Sequence, residues 1–107
     1  MSWHEIYPDE LNRRIRHGED WTIIDVREPE ERVAAKITNT MHIRMSDIPA
    51  RLADIPAAGK VAFLCHAGVR SQHVCDYLTN RGIVGTYSVV GGIDRWSTDV
   101  DPDIPRY

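Results

Sequence analysis

The sequence is short of cysteine and of long apolar runs, and each shortage excludes a class of protein. Two cysteines, Cys65 and Cys75, are too few for a disulfide framework, which favours the reducing cytoplasm as the location. The longest unbroken apolar stretch covers residues 61–65, far fewer than the ~20 that span a bilayer, so we expect a soluble protein without a membrane partner. The N-terminal residues have neither a basic flank nor an apolar segment, so no signal peptide is predicted.

Positive charge is also scarce. Lys and Arg number 13 against 16 Asp and Glu, which gives a net charge of -3. Proteins that bind nucleic acid usually present an excess of basic residues, so we expect no nucleic-acid partner. A chain of 107 residues with 42% hydrophobic residues is the size of one domain that can bury a core without disulfides, so the sequence predicts a single domain over residues 1–107.

Two apolar segments, 21–26 and 60–65, lack the alternation of a half-exposed strand and predict central strands buried on both faces. Weaker strand patterns lie at 3–7, 40–43 and 85–89. Helical patterns alternate with them at 8–16, 29–35, 46–53 and 69–81, and a last helix is expected to follow Gly91-Gly92, include Trp96 as a core anchor, and give way to an irregular tail from about residue 99. This order predicts a small α/β domain with a mostly parallel five-stranded sheet flanked by helices on both faces.

Cys65 ends a predicted strand and is followed by a short loop that opens a predicted helix. In this arrangement backbone N–H groups point into the loop and the helix N-terminus adds partial positive charge, which stabilises a thiolate. Gly68 allows unusual backbone conformations, and Arg70 adds a permanent charge. We therefore expect Cys65 to be an exposed nucleophile. The loop residues expected to bind substrate are His66, Ala67, Gly68, Val69, Arg70 and Ser71.

Other interpretations of these residues are less favoured. A cysteine at a strand end can also be a small core residue, but the loop favours a reactive Cys65. Cys75 lies on the apolar stripe of the predicted helix, so we expect it to pack in the core. A metal site built from Cys65, His66, His73 and Cys75 is disfavoured because His73 and Cys75, two residues apart, do not share a helix face. No metal or cofactor is predicted.

Charged residues after the first central strand form a second candidate group. Asp25, Arg27 and Glu28 could contact substrate, but an Asp and an Arg at a strand end more often form salt bridges and turn hydrogen bonds, so we favour a supporting role for Asp25 and Arg27. Ser71 is expected to cap the helix or make a local hydrogen bond. For His66 two roles stay open, at the mouth of a pocket or in solvent.

Three blocks of this sequence resemble the single-domain rhodanese family of sulfurtransferases. They are Ile-Asp-Val-Arg-Glu-Pro-Glu-Glu at 24–31, Cys-His-Ala-Gly-Val-Arg-Ser at 65–71 and Val-Gly-Gly-Ile-Asp-Arg-Trp at 90–96. They follow the family's order and span almost the whole chain, so the resemblance implies a rhodanese-like domain. The chain departs from the family at 35–37 and 39–40, where Ala-Lys-Ile and Asn-Thr replace Gly-His-Ile and Gly-Ala, away from the active loop.

The resemblance implies a two-step sulfur transfer. The Cys65 thiolate would attack the outer sulfur of a small anionic donor such as thiosulfate, expel sulfite and hold the sulfur as a persulfide ringed by backbone N–H groups. A cyanide or thiol acceptor would then remove it, and Arg70 would favour anionic donors at the mouth. A protein sulfur donor or acceptor is compatible with the same chemistry.

Two alternative functions share this loop. A sulfur-relay or partner-binding module without thiosulfate activity would look the same in sequence. A Cdc25-like phosphatase or arsenate reductase is less favoured, because four residues separate Cys65 from Arg70 whereas the phosphatase loop has five.

Overall fold

Strands and helices alternate along the chain, and a computed structural model describes residues 2–107. Five strands and five helical segments are found in this range. The strands are β1 His4–Ile6, β2 Trp21–Asp25, β3 Met41–His42, β4 Lys60–Leu64 and β5 Tyr87–Val89. The α-helices are α1 Pro8–Arg16, α2 Pro29–Ala34, α3 Val69–Asn80 and α4 Gly92–Asp99, and a 3₁₀ helix covers Met45–Asp54.

The sheet has the strand order β1-β5-β4-β2-β3, and every pairing is parallel. The prediction of a five-stranded, largely parallel sheet is therefore confirmed. Strands β2 and β4 are neighbours, with Asp25 opposite Leu64. Because parallel strands end at the same edge, this register brings the residues after Asp25 beside the loop that starts at Cys65.

The core lies on both faces of the sheet. Alternate residues of β4 point to opposite sides: Phe63 packs in one apolar cluster and Leu64 in the other. Helix α3 covers the first face with its buried residues Val74, Cys75 and Leu78, while α1 and α4 cover the second with Leu11, Ile93 and Trp96. Helices on both faces were predicted from the unbroken apolar strands, and Trp96 is a core residue as expected.

Two segments differ in detail from the sequence prediction. The helix expected at 46–53 is a 3₁₀ helix with Pro49 inside it, since proline cannot donate the backbone hydrogen bond that an α-helix needs there. The tail after Asp99 has no regular element in the described residues, yet it is packed: Ile104 is buried in the second cluster, and its carbonyl accepts a hydrogen bond from Ser97 Oγ at 2.5 Å.

None of the helices formed by residues 2–107 combines the length and the apolar character required to cross a membrane.

Candidate active site

Cys65 is the first residue after β4, and the loop that follows ends at Gly68, the N-cap of α3. Gly68 has a φ of 102°, in the left-handed region that glycine adopts without strain. This turn directs backbone N–H groups at the cysteine: Gly68 N lies 3.1 Å and Ser71 N 3.4 Å from Cys65 Sγ. The sulfur therefore sits at the N-terminus of a 12-residue helix with donors already aimed at it.

Cys65 is only 1% exposed, so the exposure expected from the sequence is wrong. Cys65 continues the β4 alternation of Val61 and Phe63 and so lies on the face covered by α3. Its surroundings are partly polar, because the N–H groups of Gly68 and Ser71 contact the sulfur.

The loop is held from its outer side by α4. Ile93 N donates to the Cys65 carbonyl at 2.8 Å, and Asp94 N donates to the His66 carbonyl at 3.1 Å. Gly92, with a φ of 58°, makes this approach possible, because a Cβ at that position would overlap both of these carbonyl oxygens. The block at 90–96 thus fixes the backbone of the cysteine loop.

Asp25 and Arg27 form a buried ion pair beneath the site. Both side chains are 0% exposed. Arg27 Nη2 lies 2.8 Å from Asp25 Oδ2, and Arg27 Nε lies 3.0 Å from Asp25 Oδ1. Arg27 also donates to the carbonyl oxygens of Glu31 and Ala35, at 3.1 and 2.7 Å. The salt bridge expected between Asp25 and Arg27 is present, and the two carbonyl contacts tie the end of β2 to the middle and the C-terminal end of α2.

Arg70 is engaged by a carboxylate that the sequence analysis did not single out. Its Nη1 lies 2.7 Å from Glu31 Oε2 and its Nη2 lies 2.8 Å from Glu31 Oε1, a two-pronged ion pair. The Arg70 hydrogen bonds lower the pKa of Glu31 to about 2. The same pairing raises the pKa of Arg70, and the Cys65 sulfur contributes in the same direction.

Tyr107 returns from the end of the described chain to the same place. Its hydroxyl donates to Glu31 Oε1 at 3.0 Å and accepts from Arg27 Nη1 at 2.8 Å. Its ring stacks on His66, with ring centroids 4.2 Å apart. Burial is the main cause that raises the pKa of Tyr107. His66 is half-buried under this ring, so it is not simply solvated.

Two serine hydroxyls lie behind the cysteine. Ser71 Oγ is 3.6 Å from Cys65 Sγ and donates to the Gly68 carbonyl at 3.1 Å. It also lies 2.7 Å from Ser88 Oγ on β5. Ser71 thus makes the local hydrogen bond expected of it, and Ser88 joins the strand to the loop.

The second cysteine lies in the core. Cys75 is buried in the cluster under α3, as predicted, and this burial raises the pKa of its thiol to about 11. His73, two residues earlier, is exposed. Over residues 2–107 no three His, Cys, Asp or Glu side chains are grouped so that they could hold a metal ion.

Sequence reasoning missed Glu31, Tyr107, Ser88 and the role of Gly92. Glu31 had a usable signal, since it lies three residues after the N-cap Glu28 and makes the reciprocal hydrogen bond of a capping box. Tyr107 and Ser88 had none, because each reaches the site through contacts between residues far apart in sequence.

Comparison with known proteins places this geometry in a family. The family described as Rhodanese-like domain matches residues 7–99. The chain belongs to the rhodanese-like family. It is 36% identical to YtwF of Bacillus subtilis (strain 168) over 102 residues, 95% of this chain and 98% of that protein.

Two further relatives agree with this assignment. The thiosulfate sulfurtransferase GlpE of Pseudomonas putida is 32% identical over 98 residues, covering 90% of this chain and 87% of that protein. The crystal structure of a rhodanese-like domain protein from Staphylococcus aureus superimposes with a TM-score of 0.81 at 29% identity, covering 97% of this chain and 98% of that one. At the level of the family, this rhodanese-like chain is a sulfurtransferase.

Proposed function

We propose that this rhodanese-like protein transfers a sulfane sulfur from a small donor such as thiosulfate to cyanide or a thiol, with Cys65 as the carrier. The observation that carries the proposal is the pair of backbone N–H groups, from Gly68 and Ser71, on the Cys65 sulfur at the N-terminus of α3. Because Cys65 is only 1% exposed, such fixed donors replace the hydration of an anionic sulfur.

In the first step the Cys65 thiolate attacks the outer sulfur of thiosulfate. A bond forms between Sγ and that sulfur, the S–S bond of thiosulfate breaks, and sulfite leaves with the bonding electrons. The product is an anionic persulfide on Cys65. Sulfite departs as an anion, so the step needs no general acid.

In the second step the acceptor restores the enzyme. Cyanide attacks the terminal sulfur of the persulfide, a carbon–sulfur bond forms, and the Cys65 thiolate leaves as thiocyanate is released. The enzyme alternates between a free and a sulfur-loaded form, so ping-pong kinetics are expected.

Loop length supports sulfur transfer over the phosphatase alternative. Four residues lie between Cys65 and Arg70, and the turn at Gly68 brings two N–H groups onto one atom rather than forming a wide ring. A relay role, in which a protein supplies or accepts the sulfur, uses the same Cys65 chemistry. Because the carrier must stay a free thiol, we propose the reducing cytoplasm as its location.

Intact-mass analysis after thiosulfate treatment tests the proposal. We expect one added sulfur atom on Cys65, removed by cyanide with release of thiocyanate. Cys65→Ala should abolish both signals, whereas the matched control Cys75→Ala, which changes a core thiol, should keep them. Sulfur loading that survives in Cys65→Ala and disappears in Cys75→Ala would overturn the assignment.

A further inference from the structure

Glu31 is bound to Arg70, the loop side chain expected to attract an anionic donor. Both terminal nitrogens of Arg70 are bound by the two Glu31 oxygens, at 2.7 and 2.8 Å. The side chains are partly buried, with exposures of 30% for Arg70 and 20% for Glu31. An anionic donor that approached Arg70 would therefore meet a carboxylate already seated there.

The carboxylate is fixed from three directions. Besides Arg70, Glu31 Oε2 accepts the backbone N–H of Glu28 at 2.8 Å, and Glu31 Oε1 accepts the Tyr107 hydroxyl at 3.0 Å. Its low pKa, about 2, keeps it negative at neutral pH. Displacing Glu31 from Arg70 would also break the cap of α2, so a donor that binds the Arg70 guanidinium must overcome both interactions.

Other cations beside the loop are paired as well. Arg27 is bound by Asp25, and Arg106 lies 2.8 Å from Asp94, whose backbone holds the His66 carbonyl. Each of these three arginines thus faces a carboxylate.

We propose that Glu31 is a specificity-determining residue, which disfavours dianionic sulfur donors and directs Cys65 toward the protonated persulfides of uncharged thiols. This inference rests on the proposed function. With thiosulfate, the attacking thiolate and the dianion bring three negative charges together beside Glu31. With the protonated persulfide of an uncharged thiol, R–S–S–H, the outer sulfur becomes bonded to Sγ with its proton and R–S⁻ leaves, so one negative charge is present throughout.

Sulfur-loading rates with two donors test the proposal. Thiosulfate and the persulfide of 2-mercaptoethanol, a thiol without other charged groups, are compared on the wild type, Glu31→Gln and Glu30→Gln, with the mass of Cys65-containing protein as readout. Glu31→Gln keeps acceptor oxygen for the α2 cap while removing the charge. We expect it to raise kcat/KM for thiosulfate about tenfold, mainly through KM, and to change that for the persulfide less than about twofold.

Glu30→Gln is the matched control, because Glu30 is exposed on the same helix and loses the same charge. It should leave both donors nearly unchanged. An equal gain in Glu30→Gln, or no gain in Glu31→Gln, would overturn the specificity role while Cys65 still loads. If neither donor loads Cys65 in the wild type, the proposed function itself fails.

Ionic strength gives a second measurement on the unaltered protein. If Glu31 repels thiosulfate, added salt should lower the thiosulfate KM, since salt screens the repulsion between the approaching anion and the partly buried carboxylate, by less than it would for two exposed charges. A KM that rises with salt would show a free Arg70 attracting the anion, and would contradict the proposal.

Discussion

Arg27 shows at the scale of one residue how the site depends on a buried charge. Its guanidinium is 0% exposed and its nitrogens reach Asp25, Glu31, Ala35 and Tyr107. Such a group is tolerated in a core only because every donor has a partner. The sequence indicated the pair with Asp25, since the two residues flank Val26 at a strand end, but the partners beyond it depend on tertiary packing.

Replacing Arg27 tests this interpretation. Arg27→Met should lower the free energy of unfolding by about 3–5 kcal/mol, because it leaves the Asp25 carboxylate in the core without its main partner. Urea unfolding followed by circular dichroism measures the loss. The control Arg95→Met removes an exposed pair with Asp99, 2.9 Å apart, and should change stability by less than about 1 kcal/mol. Equal effects would show that the Arg27 network contributes no more than a surface pair.

For Cys65, the sequence indicated the chemical role of the residue but not its burial. A cysteine before a glycine-containing loop indicated the candidate nucleophile, and the N–H groups of Gly68 and Ser71 lie where a thiolate would need them. The expected exposure was wrong, because the two-residue alternation of β4 carries Cys65 under α3 with Val61 and Phe63. Its reactivity stays a prediction for the mass experiment.

At the scale of helices and strands, local sequence patterns predicted the elements correctly where their residues are strongly buried. The unbroken apolar segments became the central strands β2 and β4, and the helical pattern at 8–16 became α1. The signals were weaker at 46–53, where Pro49 changed the helix type. The sequence of α4 alone did not predict that its N-terminus packs on the cysteine loop through the N–H groups of Ile93 and Asp94.

Gly92 makes this contact between α4 and the loop testable. In Gly92→Ala a Cβ would collide with the Cys65 and His66 carbonyls and strain a left-handed backbone, so we expect a loss of about 2 kcal/mol or more and slower sulfur loading of Cys65. Gly82→Ala is the control, since its φ is also positive but a Cβ there meets open space. It should cost about 1 kcal/mol and leave loading unchanged. Normal loading in a folded Gly92→Ala would show that α4 does not position the loop.

At the scale of the whole molecule, the site is assembled from the beginning, middle and end of the chain. Residues near position 30, the loop at 65–71 and Tyr107 meet around Arg70, joined by hydrogen bonds across 39 and 76 residues of sequence. Periodicity and turn signals describe neighbours in sequence, so they could not predict that the irregular tail returns to His66. The contacts between distant segments include the ion pair of Glu31 and Arg70, so the charge of Glu31 affects the stability of the fold.

Acid unfolding measures that link. The pKa of Glu31 falls from 4.5 to about 2 because Arg70 binds its charged form, so the folded state binds this proton less readily than the unfolded chain. The resulting stability is fully present above pH 4.5 and is lost as the pH falls toward 2. After allowance for partial exposure we expect it to amount to about 1–2 kcal/mol.

Glu31→Gln removes this titration and should therefore flatten the decline in unfolding free energy between pH 4.5 and 2, while Glu30→Gln keeps the wild-type slope. Urea unfolding at a series of pH values gives both curves. The ion pair joins α2 to α3 across 39 residues, so its loss on acidification loosens a contact between distant segments rather than one helix end. Parallel curves for Glu31→Gln and the wild type would mean that Arg70 and Glu31 are not paired in solution, and the basis for donor selection by charge would be lost with them.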